Sequence, residues 1–333
     1  MLFVRAHELK AGMRLARPIY NKNGVLLYER DTKLTMQGIY SIKNFGLIGI
    51  YILEPAEPLP PMTEDDIEFE RFQTMAVFSL KEIFESVENG KRAISLPTFV
   101  SDIMRNYGHV ERKMNFMQNI RSKEDAVYKH SLNVAILSAL ISNRMHMTNQ
   151  EQIKLIMASL LHESQYMNYN LDEAVKKVIN QMNYKLKALE DKKSYSEISN
   201  MAEVLLVAYT YDKLTAMKLD EEPQSEVAAI RYLMDLENGF SKEVVWALID
   251  SINILTPGVC VELTNGEKGL VLSENKSNVL RPVILCFNGN KKVDLYYDNV
   301  FKEVQIKDIM KSMDNRFIMD RSYLEKNKDI INI

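Results

Sequence analysis

Histidine and its neighbours are where this sequence could do chemistry. Two stretches, Tyr128-Lys129-His130-Ser131-Leu132-Asn133-Val134-Ala135 and Ala158-Ser159-Leu160-Leu161-His162-Glu163, each set one imidazole among apolar residues. The second stretch adds a carboxylate directly beside its imidazole. Neutral imidazole nitrogen and ionised carboxylate oxygen are the donors that hold divalent first-row metals. His130, His162 and Glu163 are therefore the candidate metal ligands. Three protein donors with water completing the shell is an accepted arrangement for zinc. The rival reading of the same residues is structural, with both imidazoles as hydrogen-bonded core groups. Three further histidines, His7, His109 and His146, complete the set, and none lies after His162. His109, beside Gly108, reads as a surface or capping residue.

These donors must be positioned by helices. From Tyr128 to Arg144 the apolar residues Val134, Leu137 and Ile141 recur at offsets of three and four, and His130 falls one turn before Val134. The next helix opens with a capping box, Thr148 with Glu151 three residues later, ahead of Ile153-Lys154-Leu155-Ile156-Met157. Its last turn is expected to hold His162 and Glu163. A Lys-rich helical stretch follows over Asp172–Lys192. An amphipathic helix is predicted over Ser225–Glu237, ended by Asn238-Gly239, and another over Lys242–Ile254, N-capped by Ser241 and carrying the only tryptophan, Trp246.

Ahead of this helical part, residues 1–55 read as a small β-rich module. Pro18-Ile19-Tyr20 leads through the turn signal Asn21-Lys22-Asn23-Gly24 into Val25–Tyr28, a short helix covers Thr35–Asn44, and Ile48–Leu53 is a β-branched run. Residues 56–62 form a proline-rich linker, since closely spaced prolines forbid a helix. From Asp65 on, Ile67, Phe69, Phe72, Met75, Phe78, Leu80 and Phe84 form one broad apolar stripe. That stripe is the face that docks on the next helix, or else a partner surface that makes a homodimer a fair expectation. Helices are also predicted over Pro97–Tyr107 and Val110–Ile120. The helical domain spans 63–256, a β-meander appendage spans 257–312 with hairpin turns at Asn265-Gly266 and Asn288-Gly289, and 313–333 is a C-terminal helix or tail. The fold class is mainly α, a helical bundle with a small β-rich N-terminal module and a short C-terminal β meander.

Composition narrows the function classes. Forty-two basic against 45 acidic side chains leave a net charge of −3, so no basic field favours nucleic acid or anionic lipid, and neither is expected as a partner. Two cysteines, Cys260 and Cys286, make no disulfide framework and read as small core hydrophobes in a reducing compartment. No apolar run is long enough to span a bilayer and the first residues lack a signal-peptide core, so the expected location is the cytoplasm.

Tyr128–Ala135, then Leu160-Leu161-His162-Glu163, then Val207-Ala208-Tyr209-Thr210-Tyr211-Asp212-Lys213-Leu214-Thr215 together resemble the HD-GYP branch of the HD-domain metal-dependent phosphohydrolases. The likeness continues into Phe240–Trp246 and Thr256–Leu263, and touches Gly12–Pro18 in the leading β module. The resemblance implies an HD-domain-like α-helical hydrolase that, in bacterial second-messenger signalling, cleaves cyclic di-GMP on a two- or three-metal cluster. It puts His130 and His162 at the first two histidine ligands and Glu163 at the bridging aspartate, with a side chain one methylene longer.

Other positions depart from that pattern. The family's lysine after its His-Asp pair corresponds to about Tyr166. The later histidines and the Gly-Tyr-Pro signature have no counterparts, and the interval from His162 to Asp212 is short for the helices and loop they occupy. The aspartate that closes the cluster falls at Tyr209, whose phenol is a poor ligand at neutral pH. Asp212 matches the family's second aspartate in that motif and reads as a structural hydrogen-bond acceptor, not a base.

What the resemblance then implies is a degenerate HD-GYP-like bacterial signalling protein without phosphodiesterase activity, acting through protein partners and sensing a nucleotide such as cyclic di-GMP. No catalytic residue is assigned and no resident cofactor is expected. If one is held, it is a single divalent transition metal, iron, manganese or zinc. Two alternatives stay open: a residual one-metal phosphohydrolase on His130, His162 and Glu163, and a metal-free cyclic di-GMP receptor clamping phosphate with Arg and Lys.

Overall fold

The computed structural model describes residues 2–53, 62–89, 91, 93–163, 171–218 and 223–310. The first module holds five short strands, β1 (Leu2–Arg5), β2 (Arg14–Leu15), β3 (Ile19–Tyr20), β4 (Leu26–Tyr28) and β5 (Gly49–Leu53), with helix α1 (Met36–Asn44) before the last. Strand β5 lies between β1 and β2, antiparallel to both, and β3 pairs with β4. The β3–β4 turn forms where Asn21–Gly24 predicts it. Asn21 Oδ1 accepts the backbone N–H groups of Asn23 and Val25, and Gly24 takes φ +72°. Leu15, Ile39, Ile42, Ile50 and Ile52 close a separate small core.

The bundle comprises α2 (Glu64–Glu88), α3 (Leu96–Tyr107), α4 (Ala126–Arg144), α5 (Asn149–Leu160), α6 (Glu173–Glu190), α7 (Asn200–Thr215), α8 (Glu226–Met234) and α9 (Lys242–Ile249). Helix α4 is its axis, packed by α2, α3, α5, α7 and α9. Every residue from Ser131 to Ser142 is buried, so the helix has no solvent face for half its length. A helix that is apolar all round belongs inside a domain. The capping boxes are sound: Thr148 with Glu151 opens α5 as expected, and Thr63 with Asp66 opens α2. Of the apolar stripe, Phe69, Leu80 and Phe84 are buried within the chain, whereas Phe78 is exposed.

Past the bundle, β6 (Cys260–Leu263), β7 (Lys268–Ser273), β8 (Val283–Cys286), β9 (Lys292–Asp294), helix α10 (Asp298–Glu303) and β10 (Ile306–Ile309) form the second β region. The sheet is antiparallel in the order β10-β6-β7-β8-β9, so the last strand returns to the edge of the first. Gly266 and Gly289 both take positive φ, as the two predicted turns require. Arg231 of α8 donates to the carbonyls of Ile306 and Lys307, which ties this sheet to the bundle. The architecture is thus mainly α, with a small β-rich N-terminal module and a C-terminal strand meander.

Four local expectations are corrected. Val110–Ile120 is not a helix. It runs as an irregular segment whose Met114 exchanges backbone hydrogen bonds with Ser251 and Asn253, and whose carbonyls at Val110, Met117 and Ile120 accept from Asn143, Gln73 and Lys129. Backbone groups satisfied by neighbours need no i−4 partner, and here tertiary contacts override propensity. The same pairing shortens α9, which stops at Ile249 because Ser251 and Ile252 are committed to that segment. The Ser225–Glu237 helix breaks at Asp235, whose ψ of 123° starts a 3-10 turn over Leu236–Asn238 before Gly239 closes it at φ +68°. Ser241 stands at the N-cap of α9 but makes no capping bond from its side chain. The proline run, Tyr166 and residues 311–333 lie outside the described residues.

Because α4 is packed on all sides, Leu137→Ala should cost about 2–5 kcal/mol of stability, read as a lower midpoint in urea. Tyr40→Ala, on the exposed side of α1, should stay within about 0.5 kcal/mol of the parent.

Candidate metal centre

His130 sits in the second turn of α4, and α7 passes beside it carrying Tyr209 and Asp212. His162 and Glu163 arrive from α5, but not inside it. The helix ends at Leu160 and both residues follow its C-cap, which corrects the expectation that they share its last turn. The reason is visible in one bond. His162 Nδ1 donates to the carbonyl of Ser159 at 2.7 Å, supplying from a side chain the donor that a continuing helix would supply from its backbone.

The three predicted donors are brought together. His130 Nε2 and His162 Nε2 stand 3.1 Å apart, and Glu163 Oε1 lies 3.9 Å from the first and 3.7 Å from the second. Among the described residues these three form the one group of His, Cys, Asp and Glu donors spaced for a metal ion. Tetrahedral ligand atoms on zinc are separated by roughly 3.3 Å, so the observed spacing fits a single ion.

Hydrogen bonding sets the tautomers. The Ser159 carbonyl can only accept, so His162 Nδ1 carries the proton and its Nε2 presents a lone pair. His130 Nδ1 bonds Asp212 Oδ2 at 2.6 Å. Burial alone would raise the Asp212 pKa, but the Arg121 guanidinium and the His130 bond outweigh it and hold the carboxyl well below the usual range. Ionised Asp212 accepts, so His130 Nδ1 donates, and in the neutral form of the ring its Nε2 carries the lone pair. Where both imidazoles are neutral, two acceptors face each other at 3.1 Å and a metal cation between them relieves the repulsion; a second proton on His130, donated from its Nε2 to His162 Nε2, relieves it equally. Burial, reinforced by repulsion from His130, pushes the His162 pKa down to about 3, so His162 itself is held neutral at physiological pH. A carboxylate behind a ligating histidine is the support that metal-bound imidazoles commonly have, fixing ring orientation and raising basicity.

Asp212 is fully buried and heavily supplied with donors. Its Oδ1 accepts from Arg121 Nη2 at 2.5 Å, Asn133 Nδ2 at 2.9 Å and Gln118 Nε2 at 3.1 Å. It is a hydrogen-bond acceptor, as the sequence reading has it, and every contact named here orients His130 or balances charge. Tyr209 closes the other side, with its ring edge-on to both imidazoles at centroid distances of 5.1 and 5.5 Å. Its hydroxyl accepts from Lys213 at 3.3 Å.

Sequence reasoning missed Arg121, Gln118, Asn133 and Gln73. A signal existed for Asn133, an amide flanked by Leu132 and Val134 three residues after His130. None existed for Arg121 and Gln118, which reach the site from the irregular segment that reads as a helix.

No protein-family model matches the chain, and no curated protein matches it either. A solved structure that does match is "Bd1817, a HDG"Y"P protein from Bdellovibrio bacteriovorus", at 14% identity and a TM-score of 0.42, covering 75% of this chain and 98% of that one. A likeness at that level carries no argument about this protein.

The buried pair makes a sharp prediction. Removing one partner leaves the other charge buried and uncompensated, so Arg121→Met should lower stability by about 3–5 kcal/mol, measured by chemical denaturation. Arg14→Met, which removes the exposed pair with Asp31, should change it by less than about 1 kcal/mol.

Proposed function

We propose that this chain is a signalling protein of HD-GYP type that holds one divalent transition metal on His130, His162 and Glu163 and does not hydrolyse phosphodiesters. The single observation behind the reading is the pair of Nε2 atoms converging at 3.1 Å, each imidazole held from behind through its Nδ1, with a carboxylate beside them. Iron, manganese or zinc suits such nitrogen and oxygen donors. When bound, the ion supplies a fixed positive charge that joins the end of α5 to α4.

Two things favour a structural or sensory role over hydrolysis. A two-metal clamp on a phosphodiester needs donors for both ions, and the described residues gather three. The position where the resemblance expects another carboxylate carries Tyr209, whose ring packs steeply inclined against both imidazoles. Asp212, the other carboxylate nearby, is saturated by Arg121, Asn133, Gln118 and His130. The output of the protein then passes through partners that recognise its surface, with cyclic di-GMP as the nucleotide to try first.

The test is metal analysis of protein purified without chelator. About one ion per chain is expected, falling to background in His130→Ala and His162→Ala variants that keep wild-type circular dichroism. Cyclic di-GMP incubated with the metal-loaded protein should be recovered intact. A metal-free wild type, or linear product accumulating in that incubation, overturns the reading.

A further inference from the structure

The carboxylate behind His130 is the end of a longer chain of buried and half-buried polar groups. Asn133 Nδ2 donates to Asp212 Oδ1 at 2.9 Å, and Asn133 Oδ1 accepts from Gln73 Nε2 of α2 at 3.2 Å. Gln73 Oε1 accepts from Asn119 Nδ2 at 2.8 Å, and Asn119 Oδ1 accepts from Arg17 Nη1 at 3.3 Å. Arg17 belongs to the N-terminal β module. Its guanidinium also pairs with Glu70 of α2 at 2.7 Å and lies over the Tyr51 ring of β5, 4.3 Å from the centroid.

The direction of this relay is forced. A guanidinium can only donate and an ionised carboxylate can only accept, so all three amides between them must present oxygen toward Arg17 and nitrogen toward Asp212. Turning any one amide would set two donors or two acceptors face to face at both of its bonds. Gln73 and Asn133 are buried, with 2% and 3% of their surface exposed, so water is not at hand to repair such a mismatch. Aligned amides polarise one another, and their donor ends stabilise the charge that accepts from His130.

We infer that Arg17 is a positioning residue for the His130 centre, and that the Arg17–Asn119–Gln73–Asn133–Asp212 relay couples docking of the N-terminal β module to cation affinity at His130 and His162. This rests on the metal reading above for its affinity half alone; the orientation of His130 is coupled with or without an ion. By linkage, an ion bound at the centre tightens the docked module by the same factor by which docking tightens the ion. The module therefore senses, or sets, the occupancy of a site it does not touch.

The experiment uses the full chain and two readouts. In metal-free protein, the imidazole Nδ1–H proton of His130, held by a carboxylate, gives a downfield resonance, assigned by its loss in His130→Ala. Zinc affinity is measured in parallel by competition with a chelator of known strength. Asn119→Leu cuts the relay while keeping the Arg17–Glu70 pair, and Arg17→Met cuts it at the module. Arg14→Met, in the same module but paired with Asp31 away from the relay, is the control.

Both relay variants should move or broaden the His130 resonance and weaken zinc on the order of threefold to tenfold, with the control unchanged and all three keeping wild-type circular dichroism. A wild-type resonance together with wild-type zinc affinity in Asn119→Leu and Arg17→Met overturns the inference. Should the wild type take up no zinc, the metal reading fails, and the resonance decides the relay by the same criterion.

Discussion

One buried carboxylate organises the centre of this protein. Ionised Asp212 has no solvent access, and an isolated carboxylate there would be several kcal/mol out of balance. The fold offsets this by bringing donors from two directions. Arg121 and Gln118 come from the irregular segment before α4 and Asn133 and His130 from α4 itself, while Thr215, one turn on in α7, accepts from the same Gln118 amide. The segment and the two helices are therefore held in one relative position by a single charge. Replacing that charge would release each of them, which is why packing and electrostatics cannot be separated here.

That constraint explains the state of the histidines. Asp212 commits Nδ1 of His130, and the Ser159 carbonyl commits Nδ1 of His162. Neither bond is part of the candidate metal centre, yet together they turn both Nε2 atoms toward one another, that of the neutral His162 as an acceptor. The short separation between them follows from how α4 and the end of α5 pack. A metal cation, or a proton on His130 Nε2, can bridge the two rings, and Glu163 stands partly exposed beside them.

The irregular segment before α4 shows how tertiary satisfaction reshapes a local preference. Val110–Ile120 has helix-compatible residues, but its carbonyls at Val110, Met117 and Ile120 are taken by Asn143, Gln73 and Lys129, and its Met114 pairs with Ser251 and Asn253 beyond the end of α9. Once those bonds exist, the helix offers nothing more to the backbone and would carry Gln118 and Arg121 away from Asp212. The segment stays irregular, and its end delivers Gln118 and Arg121 to the buried charge.

Much of the fold was legible in the chain. The apolar periodicity of Tyr128–Arg144, the Thr148–Glu151 capping box and the Asn-Gly turns at 265–266 and 288–289 are local signals whose physical basis lies within a few residues. His130, His162 and Glu163 could also be named from sequence, because imidazole and carboxylate are metal donors wherever they stand. What the sequence could not state was their distance, their tautomers, or the origin of their support. Those depend on Asp212, Arg121, Gln118, Asn133 and Gln73, which meet across up to 139 positions of chain between Gln73 and Asp212. Residue type, being intrinsic, was fixed by the sequence alone. The choice among donor, acceptor and charge partner was left to the packing, because a hydrogen bond is set by whichever group the tertiary structure brings within about 3 Å.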